Sequence, residues 1–254
     1  MSTNPYESPE SELGQSSPAV ADANVVPFVS GHVLSLITRI LLGSYTILCG
    51  IAMSLFGVYL LLLMTTVLDD LLGENRNELV QAHGQLNQLR TALLVCTATS
   101  FLFWFHRAYR NLPALGAADL SFTPAGAVVC WFIPLLNLGR PYLFACEIWR
   151  ASDPTFAGDA DTRWRNAPLT WLIKSWWALW LMSFLLVAIS RRLPQQSVEQ
   201  AVTAAWTSLS AEALRAIAAI LAILLVTAID RRQEAKYEQR LRQGQSLAVE
   251  LTPG

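Results

Sequence analysis

The sequence predicts an all-α, multi-pass transmembrane bundle of four spans plus a proline-broken re-entrant segment, and three observations predict it. The 254 residues are 53% hydrophobic and only 15% charged, too apolar for an ordinary soluble domain. The apolar residues come in long blocks. Ile40 to Leu68 runs 29 residues without a charge before Asp69 and Asp70 stop it, and an uncharged apolar run of about 18 or more reads as a membrane span. A different kind of block, Ala125 to Leu138, has only 14 uncharged residues and contains Pro134 and Asn137, with Gly139, Arg140 and Pro141 directly after it. That is short for a crossing, and bare backbone at membrane depth survives only against protein or a water-filled cavity. The expectation is two half-helices meeting at 134–141 that dip in and return to the same side; a fifth crossing is the alternative.

Taken in order, residues 1–30 are rich in Ser, Pro, Gly and acidic residues and read as a disordered tail, without the basic start and short apolar core of a signal peptide. The transmembrane domain covers 31–232, with its first span within Leu41 to Leu68. There Gly43, Gly50 and Gly57 recur every seven residues and form a stripe for helix packing, inside this chain or against a second copy. Leu79, Leu86, Leu89 and Leu93 keep a helical rhythm that leads an amphipathic helix into the second span, Thr91 to Phe105, with Arg90 and Arg107 snorkelling at its ends. His83 reads as a surface histidine. Helix continues to about Asn111, where Pro113 and Gly116 stop it.

After the broken segment and a polar connection, Pro168 to Ser190 forms the third span, with Trp171, Trp176, Trp177 and Lys174 at its start as an aromatic belt. The last span crosses from about Leu209 to Ile229, with Glu212 and Arg215 paired at three-residue spacing. Asp230 to Arg242 is basic and helix-prone, with Gly244 as its stop, and 233–254 forms a cytoplasmic C-terminal tail.

The formal net charge of −1 gives no basis for nucleic-acid binding. Cys49, Cys96, Cys130 and Cys146 lack metal-ligand or Cys-x-x-Cys spacing and read as small buried apolar side chains, so neither a metal site nor a disulfide framework is expected. Basic residues are distributed so that four crossings with both termini inside place most of them in cytoplasmic loops, although five crossings do nearly as well.

The stretch from Trp104 to Ser152 carries a distinctive pattern. An aromatic-basic edge ending in Asn111-Leu112 is followed by Thr123-Pro124, then by Trp131-Phe132-Ile133-Pro134 with Asn137 and Pro141 beyond. It closes on Glu147-Ile148-Trp149 and Ser152. In these residues the chain resembles a bacterial membrane family, the domain of unknown function 4328, with flanking spans extending the likeness to roughly 40–235. The resemblance implies a multi-pass domain of the bacterial cytoplasmic membrane and supplies no catalytic residues. Where this chain has His106, the family pattern favours a large apolar or aromatic residue as often, so no role is assigned to that histidine.

The one candidate polar cluster is Arg107, Arg110, Asn111, Asn137, Arg140, Glu147 and Arg150, with Pro134 and Pro141 as the helix break. Basic residues there would hold anionic lipid headgroups, Asn137 would cap a broken helix, and Glu147 would pair with Arg150. The function expected is a structural or partner- and lipid-binding module of the bilayer, with no catalytic residues and no cofactor. Its partner is lipid, a second copy, or another membrane protein. The alternative is a small-solute or ion transporter that uses the half-helix ends around Pro134 to Pro141.

Overall fold

The computed structural model describes residues 27–64, 76–156, 162–194 and 196–250. Seven α-helices cover most of them: α1 (His32–Met64), α2 (Arg76–Arg110), α3 (Gly126–Val129), α4 (Pro134–Asn137), α5 (Arg140–Ala151), α6 (Trp171–Ser190) and α7 (Val198–Glu250). Four of these hold stretches long and apolar enough to cross a membrane: His32–Gly57, Gly84–Arg110, Trp171–Ser190 and Val202–Ser246. The fold is the expected all-α bundle. α7 packs on α1 and α6, and α1 packs on α2. Large apolar side chains cover the outside, among them Ile47 (67% exposed), Phe103 (64%) and Ile40 (58%), as helices that face lipid require.

Polar contacts define the two ends. At one, here the near end, His32 meets Asp230 and Asn111 meets Gln233, so α1 starts where α2 stops. At the far end Arg90 meets Glu212, and Ser190 of α6 meets Ser208 of α7. Glu212 and Asp230 are separated along α7 by about 27 Å at 1.5 Å per residue, close to the roughly 30 Å of a bilayer core.

The connection between α2 and α6 starts and finishes at the near end. Ala108 and Ser152 both bond the same Gln233 side chain. Between them the chain reaches inward along the bundle. Trp177 donates its indole N–H to Leu138 O, and Trp131 packs edge-on against Trp177 and Trp180. Trp180 lies nine residues into α6, about 13 Å at 1.5 Å per residue. The segment is cut into helices of 4, 4 and 12 residues, none long enough to span, so the re-entrant reading describes it and a fifth crossing does not.

Several expectations need correction. α1 begins at His32, about nine residues before the expected Leu41. Arg39, which ended the uncharged run, stays in the helix and donates Nε to Ser35 O. Residues 27–30, assigned to the tail, are tied down: Asn111 holds Val29 N and O through its amide, and Phe28 stacks on Tyr237. α7 starts at Val198, about eleven residues before the expected Leu209, and runs through Gly244 to Glu250. The proposed domain boundary at 232/233 is crossed by continuous helix with Gln233 and Lys236 buried.

The prolines separate helices by opening them. Pro134 starts α4, and Pro141 is the second residue of α5, where a missing N–H costs nothing and a fixed φ favours helix. Among the described residues the glycine stripe is not a packing seam within the chain: a Cβ at Gly43, Gly50 or Gly57 would meet none of their atoms within 4 Å. The buried face of α1 is Ser35, Thr38, Leu42, Tyr45, Cys49 and Ala52. Cys96 is exposed, while Cys49, Cys130 and Cys146 are buried as expected, and all four are free thiols. Residues 1–26, the Asp69-Asp70 stop and the side chain of His83 lie outside the described residues.

Candidate functional site at the near end

An aromatic floor positions this region. Phe101, Trp104 and Phe105 on α2 pack with Trp131, Phe144 and Trp176, and Trp131 packs in turn on Trp177, mostly edge-on or tilted, the arrangements that ring quadrupoles favour. α5 lies over this floor and buries Phe144, Ala145, Ile148 and Ala151. Gly126 lets α3 approach α5 closely: a Cβ there would lie 3.2 Å from the Phe144 ring and 3.3 Å from Thr123 Oγ1, so those side chains would have to give way.

The predicted polar cluster divides in two. Three of its members are structural. Glu147, buried, accepts from Tyr109 Oη at 2.9 Å and Ser121 N at 2.8 Å, and does not pair with Arg150. Tertiary contact outweighs the three-residue spacing because Glu147 faces α2, and α5 is too short to be an isolated helix. Tyr109 Oη in turn accepts from Phe122 N at 3.0 Å. Asn111, 2% exposed, is the clamp on Val29. Arg150 donates Nε to Ala167 O at 3.1 Å.

The other members face outward. Arg107 is half-buried and Arg110 exposed in the last turn of α2. Arg140, the exposed first residue of α5, sits 5.1 Å from the centre of the Phe122 ring. It borders a shallow apolar cleft of about 160 Å³ between Phe122, Val129, Leu136 and Phe144. Asn137 caps nothing: its Oδ1 is buried and has no hydrogen-bond partner among the described residues.

Sequence reasoning missed the residues that close this end from the side of α7. Gln233 Nε2 donates to Ala108 O at 2.8 Å and to Ser152 Oγ at 3.2 Å. Lys236, only 1% exposed, donates Nζ to Ala151 O at 2.8 Å. Arg232 stacks 4.2 Å from the Trp149 ring centre and bonds Asp153 Oδ2 at 2.7 Å. Cations therefore meet the C-terminal carbonyls of α5, where its dipole is negative. Burial raises the Asp153 pKa, but the Thr155 amide and hydroxyl, together with Arg232, outweigh it and hold the carboxyl below its usual value. A signal existed: Val226, Ile229, Gln233 and Lys236 repeat at three- and four-residue spacing, continuing the buried stripe past the last apolar residue.

Among the described residues no group of three or more His, Cys, Asp or Glu could hold a metal ion. No curated protein and no solved structure matches the chain. A family model, Domain of unknown function (DUF4328), matches residues 74–231, more than half of the chain, leaving α1 outside the match although the resemblance extended to about residue 40. With this match and the pattern from Trp104 to Ser152 in agreement, the chain belongs to the DUF4328 family.

Proposed function

We infer that the protein is a non-catalytic membrane module whose near end faces the cytoplasm of a bacterial cell and holds anionic lipid headgroups. The observation that carries this reading is the outer face of the re-entrant segment. Phe132 is 71% exposed, Leu135 84%, Leu138 60% and Leu143 46%, with exposed Arg140 among them. Bare apolar side chains beside an arginine suit the boundary between acyl chains and phosphates, where the stem lies in hydrocarbon and the guanidinium reaches a phosphate. Arg107 and Arg110 supply two further cations in the last turn of α2, and among the described residues neither is held in an ion pair. The buried acids Glu147 and Asp153 are taken up by Tyr109, Ser121, Thr155 and Arg232, which favours a binding role over acid–base chemistry.

The test is binding of fluorescent phosphatidylglycerol to the detergent-solubilised full chain. Saturable binding is expected, several-fold weaker in Arg140→Ala and further weakened when Arg107 and Arg110 are also changed to alanine. All three side chains face outward, so unfolding midpoints should move little. Binding undiminished in the triple variant would overturn the reading.

A further inference from the structure

Glu212 of α7 gathers charged and polar groups from three helices at the far end. Its Oε1 accepts from Arg90 of α2 at 2.8 Å and from Arg215 of its own helix at 2.9 Å. Its Oε2 faces the Cys49 thiol of α1 at 3.9 Å. Tyr45, 3% exposed, lies against Cys49 and Arg215. The side chains of Arg90, Glu212 and Arg215 are only 15%, 22% and 20% exposed.

Two features of this cluster are incomplete as a structural salt bridge. Two guanidiniums share one carboxylate oxygen, which leaves one positive charge without a counter-charge among the described residues. Arg90 Nε is buried and has no hydrogen-bond partner among them. A guanidinium presents its donors as a planar fork that fits carboxylate and phosphate oxygens. A largely buried, uncompensated charge is costly unless an opposite charge joins it. Charged residues within membrane spans mark functional sites by default.

We propose that Arg90 and Arg215, arranged around Glu212, bind one singly charged oxyanion, a phosphate or phosphate ester, at the far end of the bundle. Glu212 holds the two arginines in place and limits the affinity, since it already occupies part of their donor capacity. A lipid headgroup and free phosphate share this chemistry. Arg107 and Arg110 lie about 25 and 30 Å from Arg90 along α2 at 1.5 Å per residue, so the site does not share their side chains.

The experiment uses the full-length chain with Arg107, Arg110 and Arg140 changed to alanine, so that the two readings fail separately. Thermal unfolding in an uncharged detergent is followed by tryptophan fluorescence while inorganic phosphate, or phosphatidylglycerol in mixed micelles, is titrated at constant ionic strength. Saturable stabilisation is expected from at least one ligand. A response to the lipid alone identifies a headgroup site; a response to both identifies a site open to free anions. Arg215→Gln should abolish the response. Glu212→Gln removes the competing negative charge and should lower the half-saturating concentration by about tenfold or more. If Arg215→Gln does not fold, the direction of the Glu212→Gln shift decides alone. No response to either ligand, or a weakened response in Glu212→Gln, would overturn the proposal and leave the triad as a lock between helices.

Discussion

At the near end, Gln233, Lys236 and Asn111 bond backbone carbonyls of Ala108, Ala151 and Val29, and Glu147 takes a tyrosine hydroxyl and a backbone N–H. At the far end, Glu212, Arg90 and Arg215 bond one another, and a donor is left over. The difference is one of purpose. Side chains that satisfy backbone groups fix a path for the chain, because each replaces a hydrogen bond that irregular backbone would otherwise lack. The near end needs this, since residues 111–139 leave the regular helices and return. At the far end α1, α2 and α7 continue unbroken past the Arg90–Glu212 pair, so charges there are not needed to hold their backbone.

The largest expected effect tests whether the aromatic floor, more than the polar knot, carries the re-entrant segment. Trp131 touches rings from α2 and α6 at once: Phe101, Phe105, Trp177 and Trp180. Trp131→Ala should cost about 3–5 kcal/mol, as large-to-small changes at aromatic positions do. Unfolding in mixed detergent micelles measures it. A loss below about 1 kcal/mol would mean that the polar knot holds the segment without the floor.

The polar knot itself is sharpened by Lys236→Met. The substitution keeps the stem and removes the ammonium, leaving Ala151 O at the end of α5 without that donor. The expected loss is about 2 kcal/mol, with faster hydrogen exchange at the last turn of α5. An unchanged exchange rate there would assign Lys236 a packing role only.

How far the sequence reached follows the same division. The spans were legible because the length of an uncharged apolar run is a direct consequence of bilayer thickness. Their ends were not, because a run count stops at the first charge, whereas Arg39 bonds back onto its own helix and Gln233 and Lys236 turn inward to the knot. Pro134 and Pro141 were legible as interruptions, but position alone does not say whether a proline ends one helix or starts the next; here each stands at a start. Of the candidate site, Arg140 was expected at the cytoplasmic face beside the helix break, and it stands exposed as the first residue of α5. Glu147 and Asn111 were misread, since partners such as Ser121 N and Val29 O are backbone groups far off in sequence that no residue pattern announces. The pairing of Glu212 with Arg215 was readable from spacing; the arrival of Arg90 from α2 was not.

The smallest effect concerns pH and separates the near-end ion pair from the rest of the knot. Burial alone would raise the Asp153 pKa, but the Thr155 hydrogen bonds and Arg232 hold it below the ordinary value. A carboxyl depressed in the folded state contributes stability that is fully present above its unfolded value, about 3.9. That contribution is lost as pH falls through the lower, folded value. Stability of the wild-type chain should therefore include a component that disappears on acidification below about pH 4. Asp153→Asn should lack that component and be less stable by about 1 kcal/mol at neutral pH. The quantity to compare is the difference between the two pH profiles, in which contributions common to both chains cancel. A constant difference from pH 7 down to about pH 3 would assign the loss in Asp153→Asn to packing, and the contact with Arg232 would then be positioning without electrostatic stabilisation.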